Sequence, residues 1–483
     1  MKFNFFKKQA TPFIFFIFFL AAFFVRATVF YFYIQHEERY CQPDTQSYTM
    51  PALAMHHGKG MISPNGTPVF WRTPGYPFFL APFYALSSSN SWDFALHENA
   101  HKAALWLQIL WCSLLPILLY FLAWFLTHSL ALAYTLAIIG VGHPGFILAS
   151  TFLLTDGPAQ LFFVMFLICL LRNFRFKSDN KSQYVYLTGA ALALSIYTWM
   201  RPMGQFVGIA TVIVLCFSHF SITEKIKQSL FFITLFALSL SPWFIRNYQL
   251  TGKIFFCPLF GLYFNVFNAP KIRARIERIT HEEAWKRQCK QAELEVYKEY
   301  QEYARIGDKR VIVNEIVCMR PALPWMLNYP HYFIYDWIAE VCKTTFDLYS
   351  YQMLALYNNC FKWDPLVEYL DEKLADTLFK KELPLGIRLI AFVELFFELL
   401  LWIGIFSGLF MLFDRKFREH FFTLWIPCGI IMGAVLFQTG GFGYARLRLP
   451  IEPLIILLGL VFWVYIFSNP SKKNGKTLRT LAQ

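Results

Sequence analysis

Apolar runs of membrane-spanning length recur along this chain of 483 residues and constrain its fold more than any other feature. About ten such runs can be counted, and about 20 apolar residues are what an α-helix needs to cross a hydrocarbon core. The chain is 57% hydrophobic and only 16% charged, which is too apolar for a soluble domain of average composition. The sequence therefore predicts an all-α polytopic membrane protein.

The basic residues set the expected orientation of the spans. The predicted spans are residues 13–34, 103–125, 130–142, 156–171, 184–199, 203–217, 229–245, 387–413, 421–437 and 449–467. The net charge is +13, and the lysines and arginines fall largely in the tails and in short loops between alternate spans. Such loops lie on the cytoplasmic side of membrane proteins. We therefore expect both termini in the cytoplasm, and we interpret the charge as a determinant of topology, with no nucleic-acid partner.

Two long polar segments lie outside the spans, and both are predicted on the non-cytoplasmic side. We expect residues 1–245 to form an N-terminal membrane module with an outer loop over residues 35–102. Residues 246–386 form a non-cytoplasmic region in which Glu and Lys or Arg recur at helical spacing. Residues 387–483 add a C-terminal membrane module and a basic cytoplasmic tail. The predicted fold is thus a membrane domain of about ten helices with a helical first outer loop and a larger outer helical insertion.

Ionisable side chains collect at the outer ends of these spans. They are Asp44, Arg72, Asp156, Arg201, Arg246, Arg446 and Arg448. Charged groups at membrane depth are costly and usually face a cavity or one another, so their convergence predicts a site. Each arginine taken alone has a second interpretation, because long basic side chains also snorkel to lipid phosphates at the membrane surface.

The segment from Cys41 to Pro77 is the densest of these polar stretches. Asp44 follows Pro43, and Tyr48 and Ala52 come after it at helical spacing. We therefore expect Asp44 in the first turn or at the N-cap of a short helix on the membrane surface, where a carboxylate accepts backbone N–H bonds. This capping role and a catalytic role remain alternatives at this point.

Several short motifs resemble, in their order and membrane side, those of the GT-C integral-membrane glycosyltransferases. They are Pro43-Asp44 with Tyr48, Arg72-Thr73-Pro74-Gly75-Tyr76-Pro77, Thr155-Asp156, Arg201-Pro202, Arg246-Asn247-Tyr248 and Gly443-Tyr444-Ala445-Arg446. Within that class the chain is most similar to the branch that holds the protein O-mannosyltransferases and the aminoarabinose transferase of lipid A. The resemblance covers the membrane portion of the chain.

The resemblance implies a transferase that moves a sugar from a polyprenyl-phosphate carrier to an acceptor hydroxyl outside the cytoplasm. Asp44 matches the catalytic aspartate of the family, and Asp156 is a second catalytic candidate. A positioned carboxylate can accept the proton of an acceptor hydroxyl, and arginines can hold the departing phosphate in an inverting displacement. The candidate phosphate ligands are Arg72, Arg446, Arg448, Arg246 and Arg201, and the candidate cavity residues are Tyr48, Tyr76 and Tyr444.

Departures from the family patterns bear on the donor and the acceptor. Protein mannosyltransferases carry an Asp-Glu pair in the first loop, whereas Asp44 is followed by Thr45, which puts a protein acceptor in doubt. The chain has no Asp-x-Asp motif, the carboxylate pair that holds a metal on a nucleotide-sugar diphosphate. We therefore expect a lipid monophosphate donor and no metal or other cofactor. The acceptor is expected to be a glycolipid such as lipid A or lipopolysaccharide, another glycan or a protein, at a bacterial inner membrane with the active site facing the periplasm.

A transporter or flippase of a lipid-linked sugar is the main alternative, and a polymerase or ligase of surface polysaccharide is another. Transporters often contain inverted repeats and broken helices near the midplane, whereas here no repeat is visible and the charges gather at one face. Six of the ten cysteines are predicted outside, where they could form disulfides: Cys41, Cys257, Cys289, Cys318, Cys342 and Cys360. Their irregular spacing matches no metal-binding pattern.

Overall fold

The computed structural model describes residues 10–35, 37–87, 89–175, 180–218, 220–349, 385–410 and 424–467. Within these ranges the regular structure is helical apart from one isolated antiparallel bridge between Ile62 and Pro68. The prediction of an all-α protein is therefore confirmed. Helices are numbered below in chain order over the described residues.

The first membrane helix and the first outer loop form the N-terminal part. Helix α1 (Ala10–Val29) continues through a π-helical turn, Phe30–Ile34. The loop then folds into three short helices, α2 (Glu37–Tyr40), α3 (Gln46–His56) and α4 (Gly75–Leu80), followed by two 3₁₀ turns, Ala81–Leu86 and Phe94–His97. The first outer loop is therefore helical, as the sequence predicts.

The next helices form the centre of the membrane domain. They are α5 (Glu98–Cys112), α6 (Leu115–Thr127), α7 (Leu130–Gly142), α8 (Pro144–Thr151) and α9 (Asp156–Arg175). Helix α7 starts at an N-cap, because the Ser129 hydroxyl accepts a hydrogen bond from the Leu132 N–H. Helices α7 and α8 meet at a 48° bend at His143, where Pro144 begins α8. The chain then turns at residues 152–155 and places Asp156 in the first turn of α9.

Helices α10 (Asn180–Met200), α11 (Gly204–Cys216) and α12 (Ile222–Thr251) complete the N-terminal module. A second helical region follows, with α13 (Leu259–Tyr263), a π turn (Phe264–Asn268), α14 (Ala269–Glu277), α15 (His281–Ile306), α16 (Asn314–Val317), α17 (Met319–Asn328) and α18 (Pro330–Phe346). Helix α15 carries three i,i+3 or i,i+4 pairs of Glu with Lys or Arg, namely Glu282 with Lys286, Glu283 with Arg287 and Glu295 with Lys298. The polar stretch is therefore helical, as its charge spacing predicts.

The C-terminal part returns to the apolar layer. It contains α19 (Leu385–Gly408), α20 (Ile426–Phe437), a 3₁₀ turn (Gln438–Gly441), α21 (Ala445–Arg448), a second 3₁₀ turn (Leu449–Ile451) and α22 (Glu452–Phe467). Helices α19 and α22 pack closely, since a Cβ built on Gly404 would lie 2.7 Å from the Gly459 carbonyl oxygen. Small residues of this kind let membrane helices approach backbone to backbone.

The described part of each predicted span is largely helical. Six helical stretches are long and apolar enough to cross a membrane by themselves, and the bent pair α7 and α8 makes a seventh. The remaining three predicted spans correspond to α10 and to two shorter apolar helices, Gly204–Cys216 and Ile426–Gly441. The chain is thus an integral membrane protein. The side of the membrane on which each loop lies stays a prediction.

Candidate active site

Asp44 lies in the turn before α3, and both of its carboxylate oxygens are engaged by arginines. Oδ1 accepts a hydrogen bond from Arg72 Nη2 at 2.6 Å, and Oδ2 accepts one from Arg446 Nη2 at 2.8 Å. The carboxyl group is still 35% exposed, so it borders open space. Burial by itself would raise the pKa of Asp44, but the two guanidinium groups outweigh it and hold that pKa well below its ordinary value.

The expectation that Asp44 caps α3 is wrong. The N-cap of α3 is Thr45, whose hydroxyl accepts a hydrogen bond from the Gln42 N–H and donates one to the Leu153 carbonyl. The Asp44 carboxylate instead points to residues that are distant in sequence. Its arginine partners, and not the helix terminus, therefore determine its position.

Arg72 is held rigidly in the first loop. Its Nε donates to Ser47 Oγ at 2.7 Å, and its Nη1 donates to the Tyr48 hydroxyl at 3.2 Å. The guanidinium also stacks on the rings of Tyr48 and Trp71, with 4.6 Å to each ring centroid. All three guanidinium nitrogens thus have partners on α3 or in the turn before it. Ser47 and Trp71 were not among the residues predicted from the sequence.

Arg446 connects the two aspartates. It lies in α21, donates to Asp44, and places its Nε 3.4 Å from Asp156 Oδ2. Asp156 in turn accepts a hydrogen bond from Arg201, which follows α10 directly. The cluster of Asp44, Arg72, Asp156, Arg201 and Arg446 therefore joins parts of the chain more than 400 residues apart, since Asp44 and Arg446 are separated by 402 positions. We call it the Asp–Arg cluster.

Two acidic residues near the end of α18 hold the segment that carries Arg446. Glu340 Oε2 accepts a hydrogen bond from the Gly443 N–H at 2.7 Å, and Asp347 Oδ2 accepts one from the Ala445 N–H at 2.8 Å. Lys271 donates to Glu340 and balances its charge. Neither carboxylate is predictable as part of the site from the sequence, because nothing in its local sequence connects it to residues about 100 positions later.

The three predicted cavity tyrosines differ in their surroundings. The Tyr48 ring lies under Arg72, and the Tyr444 ring lies 5.5 Å from the Arg446 guanidinium. Tyr76 is fully buried behind Tyr48, and its hydroxyl donates to Gln108 Oε1 at 2.8 Å. Tyr48 and Tyr444 therefore flank the Asp–Arg cluster, whereas Tyr76 supports it from behind.

Arg246 lies apart from the Asp–Arg cluster. It donates to the carbonyl groups of Met61 and Val69 and stacks on Trp243 at 4.3 Å from the ring centroid. It therefore fastens the first outer loop to α12. The geometry gives no support to its predicted role as a phosphate ligand.

Arg448 is fully buried and fully engaged. It pairs with Glu398 of α19 and Glu452 of α22, and its Nη1 donates to the carbonyl groups of Thr344, Thr345 and Asp347. No guanidinium nitrogen remains to bind a ligand from outside. The structure therefore disagrees with the prediction that Arg448 binds the donor phosphate and indicates that it joins helices.

A small cavity opens beside Asp156 and Arg446. Its other walls are apolar or aromatic and consist of Gly145, Ala149, Phe152, Leu154, Tyr349 and Leu449. In the cluster itself three guanidinium groups face two carboxylates, an excess of positive charge that suits an anion and disfavours a metal ion. The expectation that the donor site needs no metal stays a prediction.

Of the cysteines predicted outside, Cys257, Cys289, Cys318 and Cys342 are thiols in the described part of the chain, and Cys360 lies outside the described residues. Burial raises the pKa of the Cys257 thiol to about 12, so the thiolate form is disfavoured at neutral pH. Within the described ranges these four residues form no disulfide.

Neither protein-family models nor curated protein sequences match this chain. Several solved structures match it. The Archaeoglobus fulgidus oligosaccharyltransferase, tethered with an acceptor peptide containing the NVT sequon, superposes with a TM-score of 0.50 at 12% identity. The match covers 98% of this chain and 53% of that chain, so this chain spans about half the length of the oligosaccharyltransferase. ArnT from Cupriavidus metallidurans bound to undecaprenyl phosphate gives a TM-score of 0.37 at 14% identity, over 98% of this chain and 85% of that chain.

At this identity the likeness to the oligosaccharyltransferase is one of fold. The chain shares its membrane fold with this oligosaccharyltransferase. A shared fold does not by itself assign an activity, because function resides in the site.

Proposed function

We propose that this protein is a glycosyltransferase that moves a sugar from a polyprenyl-phosphate carrier to an acceptor hydroxyl on the non-cytoplasmic side of the membrane. The observation that carries the proposal is the position of Asp44 between Arg72 and Arg446, at the border of open space. An inverting displacement uses a general base for the acceptor hydroxyl and cationic groups for the departing phosphate, and Asp44 with its two arginines could supply both.

Charge balance supports a phosphodiester as the ligand. The Asp–Arg cluster has three guanidinium groups and two carboxylates, so it carries one positive charge in excess. A polyprenyl-phosphate sugar carries one negative charge on its phosphodiester and would neutralise that excess. When the sugar leaves, the carrier phosphate gains negative charge, and guanidinium groups that already face it stabilise that charge.

Donor binding also offers a way to activate Asp44. In the free protein the two arginines keep the pKa of Asp44 low, which makes it a weak base. A donor phosphate competes with the carboxylate for the same Arg72 and Arg446 N–H groups. Its binding would loosen their hold on Asp44 and raise the proton affinity of the carboxylate when the acceptor is needed.

In the proposed step the acceptor oxygen attacks the anomeric carbon of the sugar. Asp44 takes the hydroxyl proton, and the bond from the anomeric carbon to the phosphate oxygen breaks. The electron pair of that bond leaves with the polyprenyl phosphate, which Arg72 and Arg446 hold. Arg201 keeps Asp156 paired and so maintains Arg446 between the two aspartates.

The proposed location is a bacterial inner membrane, with the site on the periplasmic side. Membrane lipids surround the apolar helices, and the acceptor is a glycolipid, another glycan or a protein. An acceptor peptide accompanies the oligosaccharyltransferase that shares the fold, while Thr45 after Asp44 argues against a protein acceptor of the mannosyltransferase type.

The experiment that tests the donor site uses undecaprenyl phosphate as the probe. Purified protein in detergent is titrated with it, and binding is measured by native mass spectrometry for wild type, Arg72→Ala and Arg446→Ala. We expect each substitution to weaken binding at least tenfold, because each removes charge-assisted hydrogen bonds to the phosphate. Arg287→Ala is the matched control, since Arg287 is an exposed outer arginine paired with Glu283. Equal binding by all four proteins would refute the proposed phosphate site.

A second experiment identifies the acceptor. Mass spectrometry compares the surface glycolipids and glycoproteins of cells with and without the gene. We expect one sugar-bearing product to disappear on deletion and to return with the wild-type gene. If the protein were instead a transporter or flippase, the purified protein would not transfer sugar in detergent.

A further inference from the structure

Three buried ionisable side chains meet beneath the Asp–Arg cluster, although they come from distant parts of the chain. They are His143 at the bend between α7 and α8, Glu398 in α19 and Glu452 at the start of α22. Their exposed fractions are 7%, 3% and 0%. One ligand atom from each lies within 4.8 Å of the others. Ionisable groups buried in the apolar layer are costly unless they have a partner.

Within the described part of the chain, each of the two glutamates accepts hydrogen bonds at only one of its two carboxylate oxygens. Arg448 uses one oxygen of each, with Nε donating to Glu452 Oε2 at 2.8 Å and Nη2 donating to Glu398 Oε1. The second oxygens, Glu398 Oε2 and Glu452 Oε1, have no hydrogen-bond donor among the described residues, and the two carboxyl groups interact with each other. A buried carboxylate oxygen without a donor loses its hydration, so a shared proton or a bound ion must compensate it.

The separation of the ligand atoms suits a bound metal better than a hydrogen bond. His143 Nε2 lies 3.6 Å from Glu452 Oε1, which is too far for a hydrogen bond. Two ligands that bind one tetrahedral ion at about 2.0–2.2 Å are themselves about 3.4 Å apart. An imidazole nitrogen and two carboxylate oxygens are ligands that zinc accepts.

The surrounding charge also favours a cation. Glu398 and Glu452 carry two negative charges, and Arg448 is the guanidinium that pairs with both. These two pairs leave one negative charge over, which favours a cation over an anion at this place.

We propose that His143, Glu398 and Glu452 bind a divalent transition-metal ion, with Zn²⁺ as the ion that best suits these ligands. The ion would join the α7–α8 bend to α19 and α22 and so fix the base of the segment that carries Arg446. Tyr349 links this site to the cavity beside Asp156, since its ring lines that cavity and its hydroxyl donates to Glu452 Oε2 at 3.0 Å. The site is structural and separate from the donor phosphate site.

The test measures Zn²⁺ binding to the full-length protein in detergent, purified without a histidine tag and stripped with a chelator. We expect wild type to bind one Zn²⁺ per chain and His143→Gln to bind it at least tenfold more weakly, because one of three ligands is lost. His101→Gln is the matched control. His101 is also buried, but it bonds the Tyr84 hydroxyl in the first outer loop and should leave Zn²⁺ binding unchanged.

A second readout uses wild type alone, so that a folding defect in a variant cannot obscure the result. Co²⁺-loaded wild type should show the visible absorption of a tetrahedral nitrogen and oxygen site, and Zn²⁺ should raise its thermal unfolding midpoint by several degrees. The inference is overturned if stripped wild type binds no Zn²⁺, or if Zn²⁺ leaves its unfolding midpoint unchanged. Equal affinity in wild type and His143→Gln would overturn it as well. In that case a proton shared by the two glutamates is the explanation left for their burial.

Discussion

Arg446 donates a hydrogen bond to Asp44 at 2.8 Å, although 402 positions separate the two residues in the chain. This contact closes the site, because it brings the start of the last membrane helix onto the first outer loop. Arg446 also lies 3.4 Å from Asp156, so one side chain aligns both aspartates. Its neighbour Arg448 pairs with buried glutamates instead, so the two arginines should have different roles.

Arg446 and Arg448, two positions apart, should respond differently to the same substitution. Arg448→Met leaves two buried glutamates without their guanidinium and should destabilise the protein by about 3–5 kcal/mol. Arg446→Met should cost much less, since Asp44 keeps Arg72 and Asp156 keeps Arg201, but it should weaken undecaprenyl phosphate binding. Chemical denaturation in detergent, paired with binding assays, measures both effects. The reverse order of stabilities would contradict these roles.

Gly443→Ala should impair the donor site without any change in charge. A Cβ at this position would collide with the Glu340 backbone carbonyl, so the segment that carries Tyr444 and Arg446 must move. We expect undecaprenyl phosphate binding to fall at least tenfold. Gly433→Ala is the control, because a Cβ there meets nothing within 4 Å. Similar binding by the two variants would show that the position of this segment is unimportant.

The stability contributed by Asp44 should be independent of pH through the neutral range. Its folded-state pKa is depressed, so its contribution is present above the unfolded pKa of about 3.9 and is lost as the pH falls through the folded value. The difference in unfolding midpoint between wild type and Asp44→Asn should therefore stay constant from pH 8 to pH 5 and narrow only in stronger acid. A difference that already narrows between pH 7 and pH 5 would indicate a raised pKa instead.

The predicted topology places Asn65 in the first outer loop and Lys290 in α15 on the same side of the membrane. Both residues are exposed. Single cysteines at these positions, in a background with Cys216 and Cys342 replaced by serine, should react with an impermeant thiol reagent in intact cells. Lys227→Cys, near the predicted cytoplasmic start of α12, is the control and should react only after lysis. Protection of both outer positions would contradict the ten-span topology.

Spacing and charge were enough to predict the helices and the convergence of Asp44, Arg72, Asp156, Arg201 and Arg446, while their role as a donor site stays a prediction. The sequence could not predict which partner each arginine has, because that depends on tertiary contacts. Arg246, Arg446 and Arg448 all stand at the predicted outer end of a span. The fold shows that Arg448 pairs with buried glutamates, whereas Arg246 donates to backbone carbonyl groups.

The acidic partners of Arg448, which are Glu398 and Glu452, were not predicted for a related reason. Glu398 and Glu452 are single charged residues within or beside apolar runs, and sequence alone offers no evidence of what they face. An isolated acid in a predicted span is itself a signal, since it must have a partner in the membrane. That rule would have directed attention to both residues.

The most direct test of the account is sugar transfer by purified Asp44→Asn protein. Asparagine keeps the size and polarity of the side chain but cannot accept the acceptor's proton. Transfer is measured as formation of the product that the deletion experiment identifies. We expect a normal elution profile in size-exclusion chromatography and retained binding of undecaprenyl phosphate. Sugar transfer should fall about 100-fold or more, which is the usual contribution of a positioned general base. Transfer at near the wild-type rate by this variant would contradict the assignment of Asp44 as the base.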